Sequence, residues 1–252
     1  MIALVELADR QLSSPLGRAS PLLKLGIALG WLLGLALTTD PVPPAFVTAV
    51  TLASGLVLGR IPAARLAAGL APLWAAALGI GLFNALFSAA NTDPSLAVVA
   101  QAGPFRLTEP AVVAGVGLAV RVIAIASVGV VFGLTTDSTR LVDSLVQQGH
   151  LPERFGYGAL AAYQAIPRLA DDLATLRQAR RIRGLRGGWH PRLLVGLLIL
   201  AIRHGDRLAL AMDARAFGSG PRSRFRTVRW SWWDLVLAVG AALVLGVALS
   251  LG

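Results

Sequence analysis

Long apolar runs alternate with short polar breaks along most of this chain, and the runs have the length of membrane helices. A helix needs about 20 mainly apolar residues to cross a bilayer core. Five segments meet or approach that length: Pro21 to Thr39, Pro43 to Gly59, about Leu66 to Ala90, Pro110 to Leu134 and Trp232 to Gly252. The pattern predicts an all-α polytopic membrane protein with about five transmembrane helices. Between the fourth and fifth segments the texture changes. "LLVGLLILAI", Leu193 to Ile202, is apolar but too short to span. It suits a buried or interfacial helix. The expected division is transmembrane helices 1–4 over residues 1–137, a helical domain over 138–230 and a closing transmembrane helix over 231–252.

Two helices are predicted inside the inserted domain. The first covers roughly Gly158 to Arg183, with Ile166, Leu169, Leu173 and Leu176 at spacings of three and four. That is the rhythm of a packed helix seam. Continued, it lands on Arg180 and Arg183, and Gly184 follows where a helix-stopping glycine belongs. The second covers roughly Pro191 to Phe217. Leu208 and Met212 lie on its seam, and Arg215 is the next position. Gly218 and Gly220 are expected to break it, and Pro221 to prevent its resumption. Both helices therefore run apolar seam, arginine, glycine. Crossing through these seams would bring both arginine ends to one surface. Taken singly, an arginine in a last helical turn is an ordinary partner of the helix dipole. Two such ends on two seams suit bidentate docking to carboxylates of a soluble partner.

Charge sharpens this. Of the chain's 252 residues 14% are charged, against a net charge of +10, whereas soluble domains carry about 25% charged residues. The segment Arg177 to Arg229 holds 13 arginines and two acids, Asp206 and Asp213, so the whole excess sits there. Arg10, Arg18 and Lys24 flank the first segment on its N-terminal side, and Arg60 and Arg65 lie between the second and third. By the positive-inside rule the N-terminus and the basic block face the cytoplasm and the C-terminus lies outside. Trp230, Trp232 and Trp233 mark the interface where the last segment enters. The N-terminus carries Glu6 and Asp9 without a basic lead into a short apolar core, so it is not read as a cleaved signal peptide.

The residues also carry a family resemblance. "SPLGRASPLLKLGIAL", "LTTDSTRLVDSL" with "LPERFGYGALAAYQAIPRLADDLATLRQARRIRG", and "RHGDRLALAMDARAFGSGPRSRFR" resemble the transmembrane T component of energy-coupling factor (ECF) transporters, which include cobalt and nickel importers. The likeness covers most of the chain. It implies two short Ala-Arg-Gly-like motifs at the ends of cytoplasmic coupling helices, docking into two ABC ATPase subunits. Here they fall on Ile182, Arg183 and Gly184, and on Ala214, Arg215 and Ala216. Isoleucine replaces the usual alanine in the first, and alanine the glycine in the second. Leu185, Arg186 and Gly187 are a lower-ranked placement of the first, past the expected helix end. Arg180 and Arg181 are possible additional contacts. The resemblance further implies a substrate-binding membrane subunit as partner, and a vitamin or transition-metal ion as cargo.

Arg121 lies near the middle of the fourth segment. An intramembrane charge costs at least about 2.5–3.5 kcal/mol on insertion scales and faces protein or water. It either touches the substrate-binding subunit or pairs internally, with helix carbonyls or a group such as Asn84, and the internal pairing is favoured. His150, His190 and His204 match no metal motif, and no metal or cofactor is assigned to this chain. Asp171 and Asp172 are adjacent and point in different directions, as on a solvated face. The P-loop needs G-x-x-x-x-G-K-[ST], and the only lysine, Lys24, lies in "SPLLKLG". The chain is thus expected to be no enzyme, and ATP to be bound by partner subunits. "MDARAFGSG" faintly resembles the D-x-x-D-G-x-x-A-R pattern of CDP-alcohol phosphotransferases, lipid headgroup enzymes. After Asp213 the only acid is Asp234, too few to complete their metal site. Anionic lipid or nucleic acid binding by the basic block is the third possibility. The seam positions argue against a simple electrostatic patch of either kind, although Arg222, Arg224, Arg226 and Arg229 suit lipid headgroups.

Overall fold

The structure is a computed structural model that describes residues 14–38, 40–93, 95–102, 105–185, 190–220 and 226–251. Within it, Met1–Leu141 with Arg229–Gly252 form one compact unit and Val142–Val228 a second.

The first unit is the membrane bundle. After a single turn, α1 (Pro15–Arg18), come α2 (Pro21–Ala36), α3 (Val42–Val57), α4 (Ala63–Leu86), α5 (Glu109–Thr135) and α9 (Trp232–Ser250). Helices α4, α5 and α9 are long and apolar enough to cross a membrane. Helices α2 and α3, at 16 residues each, reach about 24 Å. The chain is a multi-pass membrane protein. Among the described residues one strand pair occurs, a hairpin between α4 and α5 of β1 (Val98–Ala102) and β2 (Phe105–Thr108), with antiparallel register Gln101↔Arg106. Asn91 ties this hairpin to both helices. Its amide donates to the Ala85 and Leu86 carbonyls at 2.7 and 3.1 Å, closing the end of α4. Its oxygen accepts from the backbone and hydroxyl of Thr108, the N-cap of α5, each at 3.0 Å.

Small residues set a close crossing of α4 and α5. A Cβ on Gly81 of α4 would stand 2.6 Å from the Ala119 Cβ and 2.7 Å from the Gly115 carbonyl of α5. Close backbone approach through small residues is the usual device for packing in lipid, where burial of apolar surface gives no drive. Elsewhere Trp31, Leu35, Val47, Ala124, Val128 and Ala248 form a buried cluster of α2, α3, α5 and α9. The Trp31 indole donates to the Ala241 carbonyl at 3.0 Å, joining α2 to α9. Membrane hydroxyls satisfy themselves on their own helices: Thr48 on Pro44, Thr51 on Val47, Ser127 on Ile123.

One buried carboxylate orders two helix starts. Asp234, 2% exposed, accepts from the Ser231 backbone at 2.8 Å in a capping box and from the Ser20 backbone at 2.7 Å. Ser231 caps α9 and Ser20 precedes α2, so one anion faces two positive helix ends.

Arg121 pairs internally, with a backbone carbonyl rather than with Asn84. Its guanidinium donates to the Thr38 carbonyl, just past the end of α2, while Asn84 is exposed. Because α5 has 27 residues against 16 in α2, the middle of the longer helix lies level with the end of the shorter one.

The second unit contains α7 (Glu153–Ile182) and α8 (Pro191–Ala214), and most of α6 (Ser138–Gln147), whose first turn belongs to the first unit. Pro191 at the start of α8 follows the N-cap His190, whose Nδ1 accepts from the Arg192 backbone. On α8, Leu193 is buried and Leu197, Leu200, Leu208 and Met212 are half-buried, one stripe at spacings of three to four and their multiples. The rest of "LLVGLLILAI" is not core: Leu194, Val195, Leu198, Ile199 and Ile202 are exposed.

Candidate coupling site

The two arginine motifs have one backbone design. Helix α7 ends at Ile182, Arg183 is its C-cap with φ −77° and ψ 8°, and Gly184 turns left-handed at φ +74°. Helix α8 ends at Ala214, Arg215 is its C-cap with φ −98° and ψ 14°, and Ala216 turns left-handed at φ +53°. The hydrogen bonds match as well. Gly184 N–H donates to Arg181 and Leu185 N–H to Arg180, at 3.0 and 3.3 Å. Ala216 N–H donates to Asp213 and Phe217 N–H to Met212, at 2.9 and 3.0 Å. Both are Schellman endings, in which the left-handed residue lets two trailing amides satisfy the last helical carbonyls. Each presents an exposed arginine on its final turn.

This corrects the expected end of the second helix. Gly218 and Gly220 do not stop it, because Ala216 has already done so two residues earlier. An L-residue pays about 1–2 kcal/mol for that conformation, and the chain pays it at the place where Gly184 in the first motif does not.

The seams are partly as expected. Leu169, Leu173, Leu176 and Arg180 are half-buried, whereas Ile166 is exposed. Leu176 packs on Gly196 near the start of α8, and Tyr157 near the start of α7 meets Phe217 just past the end of α8, ring centroids 6.4 Å apart. The helices are therefore antiparallel, and the arginine ends lie at opposite ends of the pair rather than side by side. From Tyr157 to Arg183 is about 40 Å of helix at 1.5 Å per residue.

The two ends are held differently. At the first, Ile182 is 86% exposed and Leu185 is exposed; Arg181 is exposed and the Arg180 side chain half-buried. Arg186 and Gly187, of the lower-ranked placement, lie outside the described residues, as do Pro221, Arg222 and Arg224. The second end is fastened to the start of α7. Arg154 lies over Gly218, itself left-handed at φ +77°, and donates to its carbonyl at 3.3 Å. Tyr157, edge-on to Phe217, donates its hydroxyl to Asp143 of α6 at 2.9 Å, and Asp143 is 7% exposed. Gly156 lets α7 approach α6: a Cβ there would meet Val146 at 2.5 Å. Gln147 at the end of α6 binds the returning chain, donating to the Arg226 carbonyl at 2.8 Å and accepting from the Val228 backbone at 3.0 Å.

Helix α6 and the residues Asp143, Arg154, Tyr157 and Phe217 are absent from the sequence expectations. A signal for α6 existed. Asp137 accepts from the Arg140 backbone at 3.0 Å as a cap, and Leu141, Val142, Leu145 and Val146 follow at helical spacing. Nothing local announces Tyr157 meeting Phe217. Among the described residues no group of three His, Cys, Asp or Glu is placed to hold a metal ion. Asp234, considered for a metal site, has both oxygens on backbone amides.

Known proteins are similar along nearly the whole chain. Residues 13–227 match the family model of CbiQ, cobalt transport protein. The energy-coupling factor transporter transmembrane protein EcfT of Heliobacterium modesticaldum is 29% identical over 92% of this chain and 91% of its own. That of Listeria innocua is 27% identical over 76% of this chain and 77% of its own. A putative ABC transporter ATP-binding protein of Bifidobacterium longum is 25% identical over 94% of this chain, which covers 32% of that longer protein. With five apolar helices and two matched helix endings already in view, these likenesses place the chain in the CbiQ family, as the transmembrane T component of an ECF transporter.

Proposed function

We propose that this T component is the non-catalytic coupling subunit of an ATP-driven importer of the prokaryotic cell membrane. It links two ABC ATPases to a substrate-binding membrane subunit that takes up a vitamin or a transition-metal ion. The carrying observation is the pair of matched Schellman endings, each with an exposed C-cap arginine, about 40 Å apart at opposite ends of α7 and α8. Two separated, alike docking points suit two alike partners. An arginine fork projecting past a helix end offers bidentate bonds to carboxylates in a groove. The Bifidobacterium protein adds support: a segment like this chain occupies about a third of a protein named for ATP binding.

The basic second unit lies on the cytoplasmic side, as the positive-inside rule directs. Closure of the ATPase pair draws the two tips together and changes the angle between α7 and α8. At the second tip the movement passes from Phe217 to Tyr157 and on to Asp143 of α6. Residues 136 and 137 alone separate α6 from α5 in the chain. The moving helices would then reorient the substrate-binding subunit between outward-open and inward-open positions. ATP, with any metal it needs, belongs to the partner chains.

The test is Arg183→Glu with Arg215→Glu. The double variant should insert and fold, but lose co-purification with the ATPases and stimulation of their turnover. Normal coupling in that variant would refute docking through these tips.

A further inference from the structure

A short segment at the start of the described chain bonds to the ends of several helices of the first unit. Ser14 accepts from the Gly17 backbone at 2.9 Å and so caps α1. From that turn the Leu16 N–H donates at 3.2 Å to the Leu58 carbonyl, the C-cap of α3. The Ser20 N–H donates to Asp234 in the first turn of α9. Lys24, buried, donates its ammonium at 2.7 Å to the carbonyl of Thr135, the last residue of α5. Residues 14–24 thus tie together the end of α3, the end of α5 and the start of α9.

Arg140 adds α6 to this knot. It stands in the first turn of α6, which belongs to the first unit, and its own N–H donates to the capping Asp137. Its guanidinium reaches α1, donating to the Gly17 carbonyl at 2.7 Å and to the Arg18 carbonyl at 3.4 Å. A guanidinium suits the closing carbonyls of a helical turn, and its planar fork presents several donors at once. The chain itself joins α5 to α6 only through Asp137 and Thr136, the latter extended at φ −122° and ψ 121°. Such a linker passes on a pull along its length but lets α6 pivot about it. A second attachment, set off from the linker, resists that pivoting.

We infer that Arg140 is a positioning residue that clasps α6 to α1, so that movement of α6 enters the ends of α3 and α9 as well as that of α5. From Gly17 the connection runs to Leu16 and Leu58 on one side, and to Ser20 and Asp234 on the other. Without the clasp, α6 acts on α5 alone. The inference rests on the coupling reading for the source of the movement and adds where the movement goes.

The experiment has two arms, both read by amide hydrogen exchange. In the full chain in mild detergent, Arg140→Met should quicken exchange at the Leu141 amide, which donates to the Asp137 carbonyl. The rise should be about tenfold, as for losing a hydrogen bond to a charged group. Arg140→Gln, shorter and uncharged, should behave alike and serves if Arg140→Met does not fold. Wild-type exchange in both variants overturns the inference. In the complex with its ATPases, nucleotide-free and vanadate-trapped states are compared. The wild type should show a change of more than about threefold at the Leu16, Ser20 and Ser231 amides. Arg140→Met should lose that response while still holding the ATPases, which a merely structural role does not require. A response that persists in the variant, or none in the wild type with ATPases bound, overturns the clasp and leaves docking through the tips intact. A wild-type chain that does not hold the ATPases overturns the coupling reading, and the inference with it.

Discussion

Gly184 and Ala216 occupy the same place in two alike helix endings, and exchanging their residue types should have opposite effects. At Gly184, φ is +74° and an added Cβ meets nothing within 4 Å. Gly184→Ala therefore introduces backbone strain without a steric clash. The left-handed conformation costs an L-residue about 1–2 kcal/mol. The narrower unfolded ensemble of alanine returns about 0.4–1 kcal/mol. At the middle of these ranges the net is about 0.8 kcal/mol against the turn, or roughly a fourfold rise in its open population. Ala216→Gly should close its turn by a similar factor, since φ is +53° there. Amide hydrogen exchange reads this directly. The amides of Gly184 and Leu185 close the first turn, and those of Ala216 and Phe217 the second. Exchange at the first pair should quicken in Gly184→Ala, and at the second slow in Ala216→Gly. If the tips dock ATPases, the first variant should also weaken their capture by a comparable factor. Unchanged exchange in Gly184→Ala, or faster exchange in Ala216→Gly, would refute the shared-ending argument.

Two further outcomes are expected. Tyr157→Phe removes a 2.9 Å hydrogen bond to the buried Asp143 carboxylate, worth about 1.5–3 kcal/mol for a bond to a charged group. Transport per ATP hydrolysed should fall while ATPase co-purification persists, and unchanged transport would take Tyr157 out of the route. Asp234→Ala strips the Ser20 and Ser231 amides of their acceptor, at about 1–3 kcal/mol for each donor left unsatisfied. At about 2–4 °C per kcal/mol for a chain of this size, thermal unfolding in detergent should drop by about 4–24 °C, with Asp234→Asn in between; a drop under about 2 °C would refute the double-cap role.

Most of the membrane bundle was legible because lipid imposes a length and polarity rule that each spanning segment obeys alone. All five expected segments correspond to helices, with ends within about four residues: Pro43 to Gly59 became Val42–Val57, and Leu66 to Ala90 became Ala63–Leu86. Two features escaped that rule. Helix α6 is amphipathic rather than apolar, and the hairpin at Val98–Thr108 is made of short segments that periodicity cannot separate from loop. The internal pairing of Arg121 was legible as the ordinary fate of an intramembrane charge, but its acceptor, the Thr38 carbonyl, comes from another element. The arginine positions were legible from the seam rhythm, but the stop at Ala216 was not. Alanine is the best helix former, and nothing in "MDARAFGSG" shows that its alanine turns left-handed before the glycines. Tyr157 was missed because its partners, Asp143 and Phe217, come from other elements.

The same contacts make the two tips unequal, and the inequality bears on how force would travel. Arg183 and Ile182 stand exposed at the far end of a 30-residue helix, with an apolar side chain ready to be covered. A partner gripping that end acts on a lever, and the start of α7 is where the lever is fixed. Arg215 stands beside that fixed point, since Phe217 and Gly218 are bound to Tyr157 and Arg154. A partner gripping it acts on the junction with α6 directly. In the proposed mechanism, equal movements of two ATPases would thus enter unequally: the first tip would swing α7, and the second would shift the pivot on which α7 turns. An asymmetric entry of force can turn a symmetric closure into a rotation, and rotation is what reorienting a membrane subunit requires.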